Sequence, residues 1–396
     1  MINNYNFENK KVILRTDFNV PIDSNYKIID NLKIIRIINT IKKITDSNGS
    51  VIIISHLGRP KGGYEYKYSL IHIYNYISSI LKYNNIYFVN DCMSKEALSC
   101  AKNLSNGEIL ILENLRFYDN EMENNIEFAK KLHSYGDVYI NDAFSVSHRE
   151  SASIINLPQM FNNKNRMLGY AFLNEIKHIN NVLQNSQKPF TAIIGGAKIS
   201  DKINFIEKLL SKVDNIIIGG AMAFTFIKAF NYNIGNSLYE KNYVKKALEI
   251  LNYAEKSNIK IYLPLDIKIA NKICNNCTYK NVNIDSIPDN WYGLDIGYKT
   301  IQNFNNIISF SKSIIWNGPL GHFEFDNFHH GSYMITRNIA FNTSYNNLYS
   351  LIGGGDTAFC VKKTGFFDQM SYVSSGGGAL LDYITKETLP GIEAIK

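Results

Sequence analysis

Charged and hydrogen-bonding side chains collect at four points in this chain, each directly after a short apolar run: Arg15, Asp17 and Asn19; His56 and Arg59; Arg116; His148 and Arg149. Side chains leaving neighbouring parallel strands converge, and like charges brought together repel unless an anion neutralises them. A guanidinium pairs bidentately with carboxylate or phosphate, so the ligand these residues suit is small and multiply anionic. Asp17 and Asn19 add groups able to hold a hydroxyl, although a local turn or ion pair accounts for Asp17 as well. The later part of the chain ends its apolar runs in glycine instead: Gly195-Gly196-Ala197-Lys198, Gly219-Gly220, Gly353-Gly354-Gly355-Asp356-Thr357 and Gly376-Gly377-Gly378. Glycine lets a backbone approach a ligand closely, and free amides at a helix N-terminus favour phosphate.

The Gly195 loop is not a Walker A loop, which needs four residues between its glycines and Lys-Ser or Lys-Thr after the second. Lys198, immediately past a strand exit, still fits a phosphate contact. Asp356 fits either a helix N-cap or, beside a bound nucleotide, a magnesium contact that keeps carboxylate and phosphates from repelling. Gly353, Gly355 and Ala358 also match G-x-G-x-x-A, which raises an NAD-dependent dehydrogenase as a rival. That fingerprint needs an acid at the end of the next strand, and SYVSS supplies serines. Read together, a cationic pocket and a set of glycine loops suit phosphoryl transfer between a nucleotide and a small anionic acid. No general base is needed if the acceptor is a carboxylate, already ionised at pH 7.

The elements that must position these residues are short β-type runs, each ending in polar or glycine residues and most followed by a helical stretch: KVILRTDFNV, SVIIISHLGR, EILILENLRF, DVYINDAFS, FTAIIGGAK, NIIIGGAMA, SIIWNGPLG, YSLIGGGDT and SYVSSGGGA. Such alternation predicts α/β architecture with parallel sheets covered on both faces, and ligands at the carboxyl ends of the strands. With 396 residues, two domains are expected: one over 1–166, one over 186–382, and between them a linker, 167–185, with a helical pattern from about Leu168 to Leu183. The formal charge of +7 comes from scattered lysines without a basic block, which favours small anions over nucleic acid. The opening residues lack a signal-peptide core and no apolar run reaches membrane-spanning length, so a cytoplasmic protein is expected. Five cysteines, including the lone Cys274-x-x-Cys277, are read as free thiols. The abundance of Ile, Asn, Lys and Tyr is read as base-composition drift.

RTDFNVP, SHLGRP, LENLRF, DAFSVSHR, GGAKISDK, WNGPLGHFEF, GGGDT and SSGGGA occur in that order along the chain, and in type and order they resemble the motifs of phosphoglycerate kinase. The resemblance implies two Rossmann-like three-layer (αβα) domains joined by a helix, with the C-terminal tail, about 383–396, folding back on the first. It implies reversible phosphoryl transfer from 1,3-bisphosphoglycerate to ADP, giving 3-phosphoglycerate and ATP in glycolysis, by a cytoplasmic monomer. By position, Asp17, Asn19, Lys33, His56, Arg59, Arg116 and Arg149 would bind phosphoglycerate. Lys198, Lys202, Glu324, Gly354, Gly355, Asp356 and Thr357 would serve ADP or ATP, with Glu324 on the ribose and Asp356 toward Mg2+. Lys33, Lys198, Gly354 and Gly377 would stand at the chemical step. No partner beyond these small molecules is implied, neither nucleic acid nor membrane.

Two positions depart from that pattern. Ser145 stands where the family has glycine, and Lys33 where it has the arginine assigned to the transferring group, which leaves a catalytically weakened nucleotide-binding relative as an alternative. Ile34, Ile37, Ile38, Ile41 and Ile44 fall at helical spacing, with Asp30 as N-cap and Lys33 in the first turn. A cation there opposes the helix dipole, so an anion nearby is expected. Arg36, one turn along, is the alternative source of a guanidinium.

Overall fold

The computed structural model describes residues 2–81 and 85–396. The chain divides into two units, Met1–Ile176 with Lys386–Lys396, and Lys177–Thr385. In the first, Lys11–Thr16 (β1), Ser50–Ile54 (β2), Ile86–Val89 (β3), Ile109–Leu112 (β4), Val138–Asp142 (β5) and Arg166–Leu168 (β6) form a parallel sheet ordered β3-β4-β2-β1-β5-β6. Both of its faces are covered, which is why its central strands are apolar without alternation. Val12, Leu14, Val51 and Ile53 join one buried cluster, while Ile13, Ile52 and Ile54 join the other. Burying each such side chain contributes roughly 1.5–3 kcal/mol. The C-terminal segment belongs to this unit, where Gly391 N donates to the Ser147 carbonyl and Ile395 packs on the second cluster.

In the second unit Phe190–Ile194 (β7), Asn215–Ile218 (β8) and Lys260–Tyr262 (β9) are followed by a three-stranded antiparallel sheet of Asp266–Ala270 (β10), Tyr279–Asn283 (β11) and Tyr292–Ile296 (β12). The parallel sheet resumes with Ser313–Asn317 (β13), Tyr349–Gly353 (β14) and Tyr372–Val373 (β15), giving the order β15-β14-β13-β7-β8-β9. Counted within this sheet alone, that is the doubly wound order 3-2-1-4-5-6. Its winding reverses between β7 and β13, where a ligand crevice is expected.

The helix predicted around Ile34 spans Leu32–Thr45 and buries Ile34, Ile37, Ile41 and Ile44. Its N-cap is Asn31 rather than Asp30. The Asp30 carboxylate instead accepts from Leu32 N at 3.0 Å, bracing the start of the helix from one residue earlier. The linker helix runs Tyr170–Gln184. It begins later than its sequence pattern suggested because Arg166–Leu168 is taken up as the edge strand of the first sheet. Among the described residues, seven of the nine non-glycine positions with positive φ are asparagines, at 9, 48, 124, 231, 258, 290 and 347.

Candidate active site

Asp17 is the centre of the first unit's site. It lies just past the end of β1, 5% exposed, and its Oδ2 is 2.6 Å from Lys33 Nζ. Ser145 Oγ donates to the same oxygen, Asn19 N donates to Oδ1 at 2.9 Å, and His56 Nε2 lies 3.8 Å from Oδ1. Burial pushes the carboxyl pKa up, but Lys33, His56 and the hydrogen bonds from Lys33 and Ser145 outweigh it and hold the group well below the usual carboxylate range. The anion expected near the start of the Leu32–Thr45 helix is therefore supplied by Asp17.

His56 is pushed well below its ordinary value by burial; Asp17 opposes that, while Arg15, Arg116 and Lys33 add to it. It is neutral at pH 7, and its buried Nδ1 has no hydrogen-bond partner among the described residues. The Asn19 side chain accepts from Gly58 N at 2.9 Å, and Arg116 Nη1 donates to the Gly58 carbonyl at 2.7 Å, so Asn19 and Arg116 are both tied to the SHLGRP loop. Burial, together with the neighbouring Arg149 and Arg15 guanidiniums, lowers Arg116 to about 10, against the opposing pull of Asp17 and Glu121. Cations are thus held close together here, only partly offset by nearby carboxylates. Arg59 stands exposed beside this group. Arg15, by contrast, is not available to a ligand: it is 2% exposed, and its Nε donates to Ser153 Oγ at 2.8 Å, beside the buried Glu121.

The second unit holds a largely apolar cavity of about 500 Å³, lined in part by Gly196, Phe224, Leu320, Phe323, Glu324 and Asp356. Not all of its glycines serve as ligand cradles. A Cβ on Gly195 would lie 2.2 Å from the Pro319 carbonyl oxygen, so this glycine lets the ends of β7 and β13 close on each other. Gly354 has φ 95 and is the N-cap of the helix Gly355–Lys363. Asp356 is consequently the second residue inside that helix, which removes the N-cap explanation for it. At Gly355 a Cβ would meet nothing within 4 Å, leaving the helix N-terminus open. Gly377 is open in the same sense. Thr357 is buried, its hydroxyl accepting from Gly318 N at 2.7 Å.

The lysines of GGAKISDK differ. Lys198 is exposed. Lys202 Nζ donates to the carbonyls of Gly195 at 2.5 Å and Asn317 at 3.0 Å. Burial lowers its pKa to about 8, opposed by Asp356 and Asp201. The helix that follows begins at Ile203, and before it Ser200 is bound through N and Oγ to Glu240, at 2.9 and 2.7 Å. Glu324 is exposed and 3.4 Å from His322 Nδ1. Glu240 was missed in the sequence because its partner lies 40 residues away, and Ser145, noted there as a departure from the family pattern, gave no sign of its bond to Asp17, 128 residues away. Among the described residues no group of three or more His, Cys, Asp or Glu side chains is arranged to hold a metal. Among them, too, no helix is long and apolar enough to cross a membrane.

A family model described as phosphoglycerate kinase matches residues 2–387. The chain belongs to the phosphoglycerate kinase family. Relatives named phosphoglycerate kinase include one from Campylobacter hominis, 44% identical over 386 residues, covering 98% of this chain and 94% of the relative. Another, from Nautilia profundicola, is 42% identical over 385 residues, covering 97% and 96%. The solved phosphoglycerate kinase of Coxiella burnetii superposes with a TM-score of 0.85 at 35% identity, over 99% of this chain and 97% of that one. That of Pyrococcus horikoshii OT3 gives 0.84 at 28% identity, with the same coverage. Family membership makes this chain a kinase, a phosphotransferase whose acceptor is a carboxyl group. Both dehydrogenase and weakened-relative readings lack support, and the G-x-G-x-x-A match follows β14, the fifth strand of its sheet by position, where the dinucleotide fingerprint follows the first.

Proposed function

We propose that this chain moves a phosphoryl group between 1,3-bisphosphoglycerate and ADP, with the acid bound by the first unit and the nucleotide by the second. The observation that carries this reading is the cluster of Arg116 with Arg149 and Arg15, cations close enough to depress one another, beside the Lys33–Asp17 pair and a neutral, buried His56. Arg59, Arg116 and Arg149 bind the phosphate and carboxylate ends of the acid. Asp17, Asn19 and the unspent Nδ1 of His56 hold its hydroxyl. His56, buried and neutral, orients the acid and takes no proton. None has to be removed, because the attacking carboxylate is ionised at pH 7.

In the second unit the adenine and ribose enter the 500 Å³ cavity, with Glu324 on the ribose hydroxyls. The phosphates meet the helix N-terminus at Gly354, Gly355 and Thr357, open at Gly355, where the helix dipole favours negative charge. Lys198 and Gly377 stand at the group in transit, Lys198 being exposed enough to follow it, and Lys33 meets the same group from the acid side. Lys202 supports the β7 and β13 carbonyls and adds its charge beneath the phosphates. Asp356 suits Mg2+ chemistry, since this ion is commonly held by one or two carboxylates plus substrate phosphates and needs no all-protein cage. Held there with the nucleotide, such an ion would supply positive charge to the phosphate oxygens. Five unpaired thiols fit a reducing, cytoplasmic setting, and the chain is read as a monomer. A coupled assay with 3-phosphoglycerate and MgATP tests the whole: turnover is expected, and binding of both ligands without turnover would reduce the chain to a binding module.

A further inference from the structure

The helix Leu32–Thr45 carries more than Lys33. Residues 33, 36 and 40 lie three and four apart, so they share one face of it. Lys33 reaches Asp17, Arg36 Nη1 reaches Glu175 Oε1 at 3.2 Å, and Thr40 Oγ1 donates to Asp142 at 2.6 Å. Glu175 lies in the linker helix, its side chain 3% exposed. Thr40 also accepts from Tyr170 N at 3.1 Å, and Asp142 Oδ1 accepts from Phe172 N at 2.8 Å, so the first turn of the linker helix is capped from the Lys33 helix and from the end of β5. A Cβ on Gly169 would overlap the Asp142 carboxylate, which shows how closely that turn is seated. The later half of the linker helix is gripped within the second unit. His178 Nδ1 is 2.6 Å from the Tyr349 hydroxyl and its ring stacks on Tyr372 at 4.1 Å. Tyr349 begins β14, the strand that ends at the Gly354 loop.

We propose that Arg36 is a positioning residue for phosphoryl transfer: its pair with Glu175 locks the Lys33 helix to the linker helix, so that an anion drawn to Lys33 moves the linker rather than the helix alone. This rests on the proposed role of Lys33. A half-buried ion pair that served stability alone would be replaceable at no catalytic cost once the protein is folded. A positioning pair couples the two helices, and mutations along such a coupling shift its energy without touching either ligand.

The test compares Arg36→Met and Arg36→Lys with Lys33→Ala at a temperature where circular dichroism shows all three folded. For Arg36→Met, kcat falls roughly tenfold while the dissociation constants of 3-phosphoglycerate and MgADP stay at wild-type values. Arg36→Lys recovers much of kcat. Wild-type kcat in Arg36→Met, with Lys33→Ala inactive, overturns the positioning role and leaves the assigned site standing. Full activity in Lys33→Ala overturns both.

Discussion

Gly355 separates fold from function in a single methyl group. It is the first residue of its helix, has no positive φ, and a Cβ there meets nothing within 4 Å. Alanine at such a position restricts the unfolded chain at no cost to the folded one, a gain of about 0.4–1 kcal/mol. For a unit of this size that raises Tm by roughly 1–4 °C. The same methyl occupies the space assigned to the nucleotide phosphates. Overpacking by one methyl costs about 1–3 kcal/mol, which weakens MgADP binding by roughly 5- to 140-fold. Calorimetric titration of Gly355→Ala should therefore show weak MgADP, unchanged 3-phosphoglycerate and a raised melting temperature. Gly354→Ala is the opposite control: its φ of 95 and the Asn317 amide 3.0 Å from the added carbon strain the backbone, and Tm should fall. MgADP affinity in Gly355→Ala within about twofold of wild type, less than the smallest overpacking cost, would refute the phosphate assignment.

Lys33→Arg should raise kcat, because a guanidinium adds bidentate contact with the transferring group, and Lys33→Ala should nearly abolish it in steady-state assays. Losing Lys33 also removes the main partner of Asp17. A depressed carboxyl pKa contributes stability that is present above the unfolded value and lost as pH falls through the folded one, so Lys33→Ala should unfold at a higher pH than wild type in an acid titration. Nucleotide affinity should weaken as pH rises through about 8, where Lys202 loses its proton, and titrations of Lys202→Met should lack that step. Asp356→Ala should raise the magnesium concentration needed for half-maximal rate while leaving 3-phosphoglycerate binding alone.

All nine apolar runs read as strands are strands: β1, β2, β4, β5, β7, β8, β13, β14 and β15. Burial on both faces writes itself into such segments as uninterrupted Ile, Val and Leu. β3, β6 and β9 went unread because they are short edge or near-edge strands, with exposed or half-buried residues such as Tyr87, Arg166 and Lys260. β11 went unread because nearly all of it faces solvent. The cations were visible because they end those runs, yet Arg15, one residue before the pocket, was indistinguishable from its neighbours until its bond to Ser153 was known. The glycines misled in a similar way. Gly195 and Gly355 look alike in sequence, and only their surroundings show that one admits another strand and the other admits a ligand.

The seven asparagines at positive φ bear on how this sequence tolerates change. Asparagine reaches the left-handed region more cheaply than other side chains, so a pressure that floods a genome with its codons meets a filter at every tight turn. A β-branched residue arriving at Asn48 or Asn258 would strain the turn, whereas asparagine in place of glycine passes. What reads as compositional noise along the chain is thus sorted by the backbone, which keeps the turns, and the strand ends they orient, constant while the surface is rewritten.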